Sequence, residues 1–137
     1  MRLRTGNKRN YRILLAEAGP ANQRLIARTL QKAGAEVTVA ENGQIAVDLA
    51  VAAKQAGRAF DIILTDIQMP VMDGHEATRH LRRTGHTNPV IVALTTDTTT
   101  EHRQKCLDSG CDDYMTKPFD ISTFVTIVAK HLALESL

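Results

Sequence analysis

A chain of 137 residues, 43% hydrophobic and 23% charged, has the size and composition of one domain around a single core. No apolar stretch reaches the length of a membrane-spanning helix, and the basic N-terminus is not followed by a signal-type apolar run, so no contact of this domain with a membrane is expected. The net charge is +2, but Arg2, Arg4, Lys8, Arg9 and Arg12 crowd the first twelve residues without an acid, so 1–10 reads as a basic tail or linker and 11–137 as a mildly acidic domain. Lacking interleaved aromatic residues or a reading helix, the tail gives no basis for expecting directly bound nucleic acid.

The first strand is expected over Tyr11–Ala16, ending on Glu17. Gly19-Pro20 breaks it, and Pro20 suits the first turn of a helix. Leu25, Ile26, Thr29, Leu30 and Ala33 recur at helical spacing, and Gly34 closes that helix. Residues 35–39 alternate as an outer strand. Asn42-Gly43 opens a second helix with Ile45, Ala46, Leu49, Ala50 and Ala53 inward, ended by Gly57.

The run Ile62-Ile63-Leu64 is apolar, β-branched and short, as in a strand buried on both faces of a parallel sheet. It ends on Thr65-Asp66, which sets a carboxylate where open α/β sheets bind ligands. Met69-Pro70 bars a longer strand, and Asp73-Gly74 turns into a charged helix over 74–84, closed by Gly85. Val90–Leu94 forms the fourth strand, ending at Thr95. The helix over 99–109 is poorly apolar, with Cys106 and Leu107 its main inward candidates, and Gly110 ends it. Residues 113–116 make a short fifth strand ending on Lys117-Pro118. Ile121, Phe124, Val125, Ile127, Val128 and Leu132 line an amphipathic last helix. Five strand–helix units with short links give an α/β fold: a doubly wound, flavodoxin-like (βα)5 domain with a parallel sheet in the order 2-1-3-4-5.

Cys106 and Cys111 form no disulfide framework or zinc ribbon and read as reduced thiols, buried or half-buried, pointing to a cytoplasmic setting. His75, His80, His86, His102 and His131 contain no HExxH or i,i+4 histidine pair and are expected on the surface. No GxGxxG or P-loop supports a nucleotide-binding enzyme.

In this sheet order Glu17, Asp66, Thr95 and Lys117 collect at one edge. Two acids, a hydroxyl and an ammonium suit phosphoryl transfer: one carboxylate is the nucleophile, both hold Mg2+, and the other two groups meet charge on the phosphoryl oxygens. The stretches 12–17, 62–74, 90–95 and 110–119 together resemble response-regulator receiver domains, most closely those of hybrid sensor histidine kinases, over about residues 11–133.

That resemblance implies Asp66 as the acceptor of a phosphoryl group from a phosphohistidine. Thr95 and Lys117 become the catalytic pair, Thr95 and Tyr114 the switch, and the Gln68 backbone carbonyl a metal ligand beside Glu17 and Asp66. The Lys117–Pro118 bond is expected cis. The partner is a sensor histidine kinase or phosphotransfer protein. The face formed by 99–137 is the expected signalling surface and a candidate homodimer face. Enzymatic activity would be limited to self-phosphotransfer and dephosphorylation.

One departure bears on the metal. Such receivers end strand 1 on two adjacent acids, and here Ala18 follows Glu17. The missing acid implies weakly held Mg2+ and an empty site in which Lys117 pairs mainly with Asp66. It also gives an alternative: a degenerate receiver that binds partners independently of phosphorylation.

Overall fold

The computed structural model describes residues 10–85, 89–96, 99–117 and 120–132. Most of the basic tail, His86, Pro118 with its expected cis bond, Phe119, and the side chains of Ile121 and Leu132 lie outside the described residues. Strands and helices alternate as β1 (Arg12–Ala16), α1 (Pro20–Lys32), β2 (Glu36–Ala40), α2 (Gly43–Gln55), β3 (Ile62–Asp66), α3 (Gly74–Arg83), β4 (Val90–Thr95), α4 (Thr100–Ser109), β5 (Asp113–Thr116) and α5 (Ile121–Leu132). The strands form one parallel sheet in the order β2-β1-β3-β4-β5, as the sequence pattern requires.

Successive strand residues face opposite sides, so the central strands divide the core in two. Ile13, Leu15, Ile62, Leu64, Val92, Leu94 and Met115 pack with Ile26 and Leu30 of α1 and Phe124 and Val128 of α5. Leu14, Ala16, Ile63, Ile91 and Ala93 pack with Ala46 and Val47 of α2, Ala77 and Leu81 of α3, and Cys106 of α4. Burial on both faces explains why β1, β3 and β4 read as apolar runs rather than alternating ones.

The helix boundaries follow local chemistry. Asn42, Asp73 and Thr99 each accept a hydrogen bond from a backbone N–H of the first turn they precede. Gly110, with φ 109°, ends α4 in the left-handed region that L side chains avoid. Two inward assignments differ from expectation. Leu25 is 50% exposed and Leu107 is 43% exposed, each lying one helical step of about 100° from a fully buried neighbour, Ile26 or Cys106. Ser109, which donates to the Cys106 carbonyl, is buried on α4 instead.

Arg82 fastens α3 to the far end of the sheet. Its guanidinium donates to the carbonyls of Gly110 and Pro89 and to Asp112 Oδ2, at 3.0, 2.9 and 2.8 Å. The same Asp112 carboxylate accepts from Ile91 N–H, so one side chain joins α3, β4 and the α4–β5 turn. Arg82→Ala leaves two carbonyls and a carboxylate short of a donor and is expected to destabilise the domain by about 2–3 kcal/mol in chemical denaturation. A loss within experimental error would show that water replaces the guanidinium.

Candidate functional site

Strand register builds the site. β1 and β3 pair Leu15 with Leu64 and Ala16 with Thr65, so the next step sets Glu17 beside Asp66. Both residues continue the parity of the side chains that face α1 and α5, as does Lys117 after Met115. Glu17 N–H still donates to the Ala40 carbonyl, which keeps the residue aligned with the sheet beyond the last residue of β1. The result is an ion cluster. Lys117 Nζ lies 2.7 Å from Glu17 Oε1 and 3.2 Å from Asp66 Oδ2. Glu17 is almost wholly buried, and its second oxygen accepts from Gly19 N–H at 3.2 Å. Asp66 Oδ1 accepts from Gln68 N–H at 3.3 Å.

This arrangement corrects one expectation. The shorter contact of Lys117 is with Glu17, not Asp66, because Glu17 shares Asp66's side of the sheet and its longer side chain reaches the ammonium. Ala18 is only half-buried, so the absent acid leaves Glu17 as the carboxylate beside Asp66.

Burial raises the Asp66 carboxyl to about 6, the adjacent Glu17 carboxyl adds to the rise, and Lys117 offsets part of it. Burial also acts to raise Glu17, but hydrogen bonding to Asp66, Lys117 and Gly19 outweighs it and holds that carboxyl below its ordinary value. Lys117 lies above its ordinary value: burial opposes its charge, and the two carboxylates overcome that. Negative charge is therefore concentrated on Glu17, while Asp66 is the group poised to gain or lose a proton.

Thr95 sits apart from this ion cluster. Its parity follows Ile91 and Ala93, on the α3 and α4 side, and Thr95 Oγ1 lies 2.9 Å from His102 Nε2 of α4. Tyr114 is half-buried, with the Arg103 guanidinium 5.5 Å from its ring centroid. His75, expected on the surface, is 2% exposed and packs edge-on against His102 with ring centroids 5.3 Å apart. Its only sequence signal is its place one residue inside the capped start of α3, on the helix's inner side. His131 bonds Asp113 at 2.9 Å and joins α5 to β5.

The loop after Asp66 is tightly held. A Cβ at Gly74 would run into the Asp66 carbonyl oxygen, and one at Gly43 into the Met72 carbonyl oxygen. Val71 has φ 69°, and Met72 N–H bonds back to the Pro70 carbonyl at 2.7 Å, the closure of a γ-turn around a β-branched residue.

Two carboxylates converging on one ammonium form a site that holds a cation. The carboxylate oxygens of Glu17 and Asp66 are the hard donors that Mg2+ prefers. The sequence matches the response regulator receiver domain family over residues 13–129, and the chain belongs to that family. It is a receiver domain of two-component signalling. It is 40% identical over 126 residues to the two-component response regulator ORR41 of rice, covering 90% of this chain and 95% of that protein. It is 37% identical over 122 residues to hybrid signal transduction histidine kinase M of Dictyostelium discoideum, covering 86% of this chain but only 5% of the kinase. Among solved structures it resembles the Saccharomyces cerevisiae Ssk1 receiver domain, crystallised with the histidine phosphotransfer protein Ypd1. The TM-score is 0.82 at 28% identity, over 93% of this chain and 92% of the other. It also resembles the receiver domain of the Pseudomonas aeruginosa sensor histidine kinase PA1611, which has magnesium in its active-site cleft. There the TM-score is 0.73 at 34% identity, over 90% of this chain and 98% of the other. Among the described residues no helix is long and apolar enough to cross a membrane.

Proposed function

We propose that this receiver takes a phosphoryl group from a phosphohistidine onto Asp66 and uses it to switch a protein-binding face. The observation that carries the reading is the cluster in which Glu17 and Lys117 hold Asp66 between charges of opposite sign. An Asp66 carboxylate oxygen forms a bond to phosphorus while the P–N bond of the donor breaks, and the imidazole leaves with the electron pair. Lys117 turns its ammonium to the phosphoryl oxygens. The Thr95 hydroxyl exchanges His102 for one of those oxygens. Glu17, Asp66 and the Gln68 carbonyl would hold Mg2+, which supplies charge neutralisation at the phosphoryl group when bound.

The donor is a sensor histidine kinase or a phosphotransfer protein, as the Ssk1–Ypd1 pairing of the yeast relative suggests. Thr95 and Tyr114 carry the change to the face of α4, β5 and α5, where a partner or a second copy of the chain would bind. A competing reading, a module that ignores phosphate, rests on Ala18. Phosphotransfer separates them: incubation with acetyl phosphate or a phosphohistidine donor and Mg2+ is expected to add one phosphoryl mass, and Asp66→Asn to abolish the gain. Labelling that persists in Asp66→Asn would place the acceptor elsewhere, and no labelling of the parent chain would favour the phosphate-independent module.

The switching face needs an element that moves at low cost. On α4 only Cys106 and Ser109 are buried. Its amides are expected to exchange with solvent much faster than those of β3, which is buried along most of its length. Equal protection in a hydrogen-exchange experiment would count against α4 as the mobile element.

A further inference from the structure

His75 poses a chemical problem that phosphoryl transfer does not solve. It is 2% exposed, yet neither ring nitrogen has a hydrogen-bond partner. Leaving a buried polar group unmatched costs about 1–3 kcal/mol, and stacking against His102 does not satisfy the nitrogen lone pair. Burial, helped by the nearby cation of Lys105, holds His75 below its ordinary pKa, so the ring is neutral and has a lone pair to offer.

Two other donors converge on it. His75 comes from the start of α3, and His102 and Cys106 stand four residues apart, one turn along α4. One ligand atom from each lies within 4.8 Å of the other two, the only such group of three or more among the described residues. Ligands of a tetrahedral zinc ion sit roughly 3.5 Å apart, so rotamer adjustments of about 1 Å would close the set. Cys106 is fully buried, and the two histidines border a cleft of about 520 Å³ that also touches Gln68, Asp73 and Lys105. The cleft gives an ion a way in and leaves its fourth position open.

We propose that His75, His102 and Cys106 form a site for a divalent transition metal of the zinc class, separate from the carboxylate site at Asp66. Imidazole and thiolate are borderline and soft ligands, which select Zn2+ or Co2+ over Mg2+. On binding, Cys106 releases its thiol proton and the thiolate offsets the positive charge of Lys105. The ion would join α3 to α4 through the residue that already holds Thr95.

The test uses the whole chain without a polyhistidine tag, reduced and stripped with a chelator, and titrated with Co2+. The expected result is one equivalent bound with a thiolate-to-cobalt charge-transfer band, displaced by Zn2+ and untouched by excess Mg2+. Cys106→Ser should abolish the band. His75→Gln and His102→Gln should each weaken binding about tenfold or more. Cys111→Ser, which removes the other buried thiol, should leave it intact. If Cys106→Ser or His75→Gln fails to fold, His102→Gln, at a half-buried helix position, still decides. A parent chain without the band, a band that survives Cys106→Ser, or unchanged affinity in His102→Gln overturns the site. None of these readouts depends on phosphorylation.

Discussion

Glu17→Gln is expected to weaken Mg2+ binding by roughly 10- to 100-fold and to slow phosphorylation with it. Even groups one shell removed from a metal are worth that much, and Glu17 would contribute a formal charge directly at the site. The substitution preserves shape, removes the charge and replaces one of two accepting oxygens, which serve Lys117 and Gly19 N–H, with an NH2 donor. Lys117 would lose its nearer partner and turn fully to Asp66, competing with the ion for the same oxygens. Ala18→Asp acts in the opposite direction. It adds an acid at the position where such receivers carry one, and should tighten Mg2+ and speed phosphorylation together. Titration of parent, Glu17→Gln and Ala18→Asp by calorimetry checks both. Unchanged affinity in Glu17→Gln would remove Glu17 from the metal site, and equal affinity in Ala18→Asp would show that Glu17 already compensates for the missing acid.

Asp66→Asn should make the domain more stable at pH 8 by about 1–2 kcal/mol, seen as a rise of roughly 3–8 °C in Tm. The sign follows from linkage. An Asp whose folded pKa, about 6, exceeds its ordinary 3.8 binds more protons in the native state than in the unfolded chain. Its carboxylate therefore weakens the fold fully above pH 6, and the penalty disappears as pH falls through 6 toward 4. The full shift would set a ceiling near 3 kcal/mol, and the lost Lys117–Asp66 contact lowers it. Melting curves of the two proteins should converge in acid. A gain that is absent at pH 8, or that grows as pH falls, would rule out the strained carboxylate.

The sheet and its edge were legible because they depend on local rules. Apolar runs with glycine and proline punctuation set the ten elements, and a parallel sheet in this order brings four strand ends together. Period-2 alternation sets Glu17, Asp66 and Lys117 on one side of the sheet and Thr95 on the other, beside His102. Applied one residue past the strand ends, it sets Glu17 as well as Asp66 on the side of Lys117, and the longer Glu17 side chain makes the nearer contact. Other features depend on packing between elements distant in sequence. His75 meets His102 only once α3 and α4 lie together, so spacing within the chain gave no sign of it. Leu25 and Leu107 are apolar residues at the margin of a helical stripe, where a step of about 100° separates core from solvent and composition does not say on which side the residue falls.

The bond between Lys117 and Glu17 joins residues 100 positions apart. Closing so long a loop has an entropic cost, which the strand pairing between the two residues offsets. Without Lys117, Glu17 and Asp66 would stand side by side with no ammonium between them, and their mutual repulsion would favour protonation. A chain cut short before Lys117 would therefore carry Asp66 without the ammonium that pairs with it.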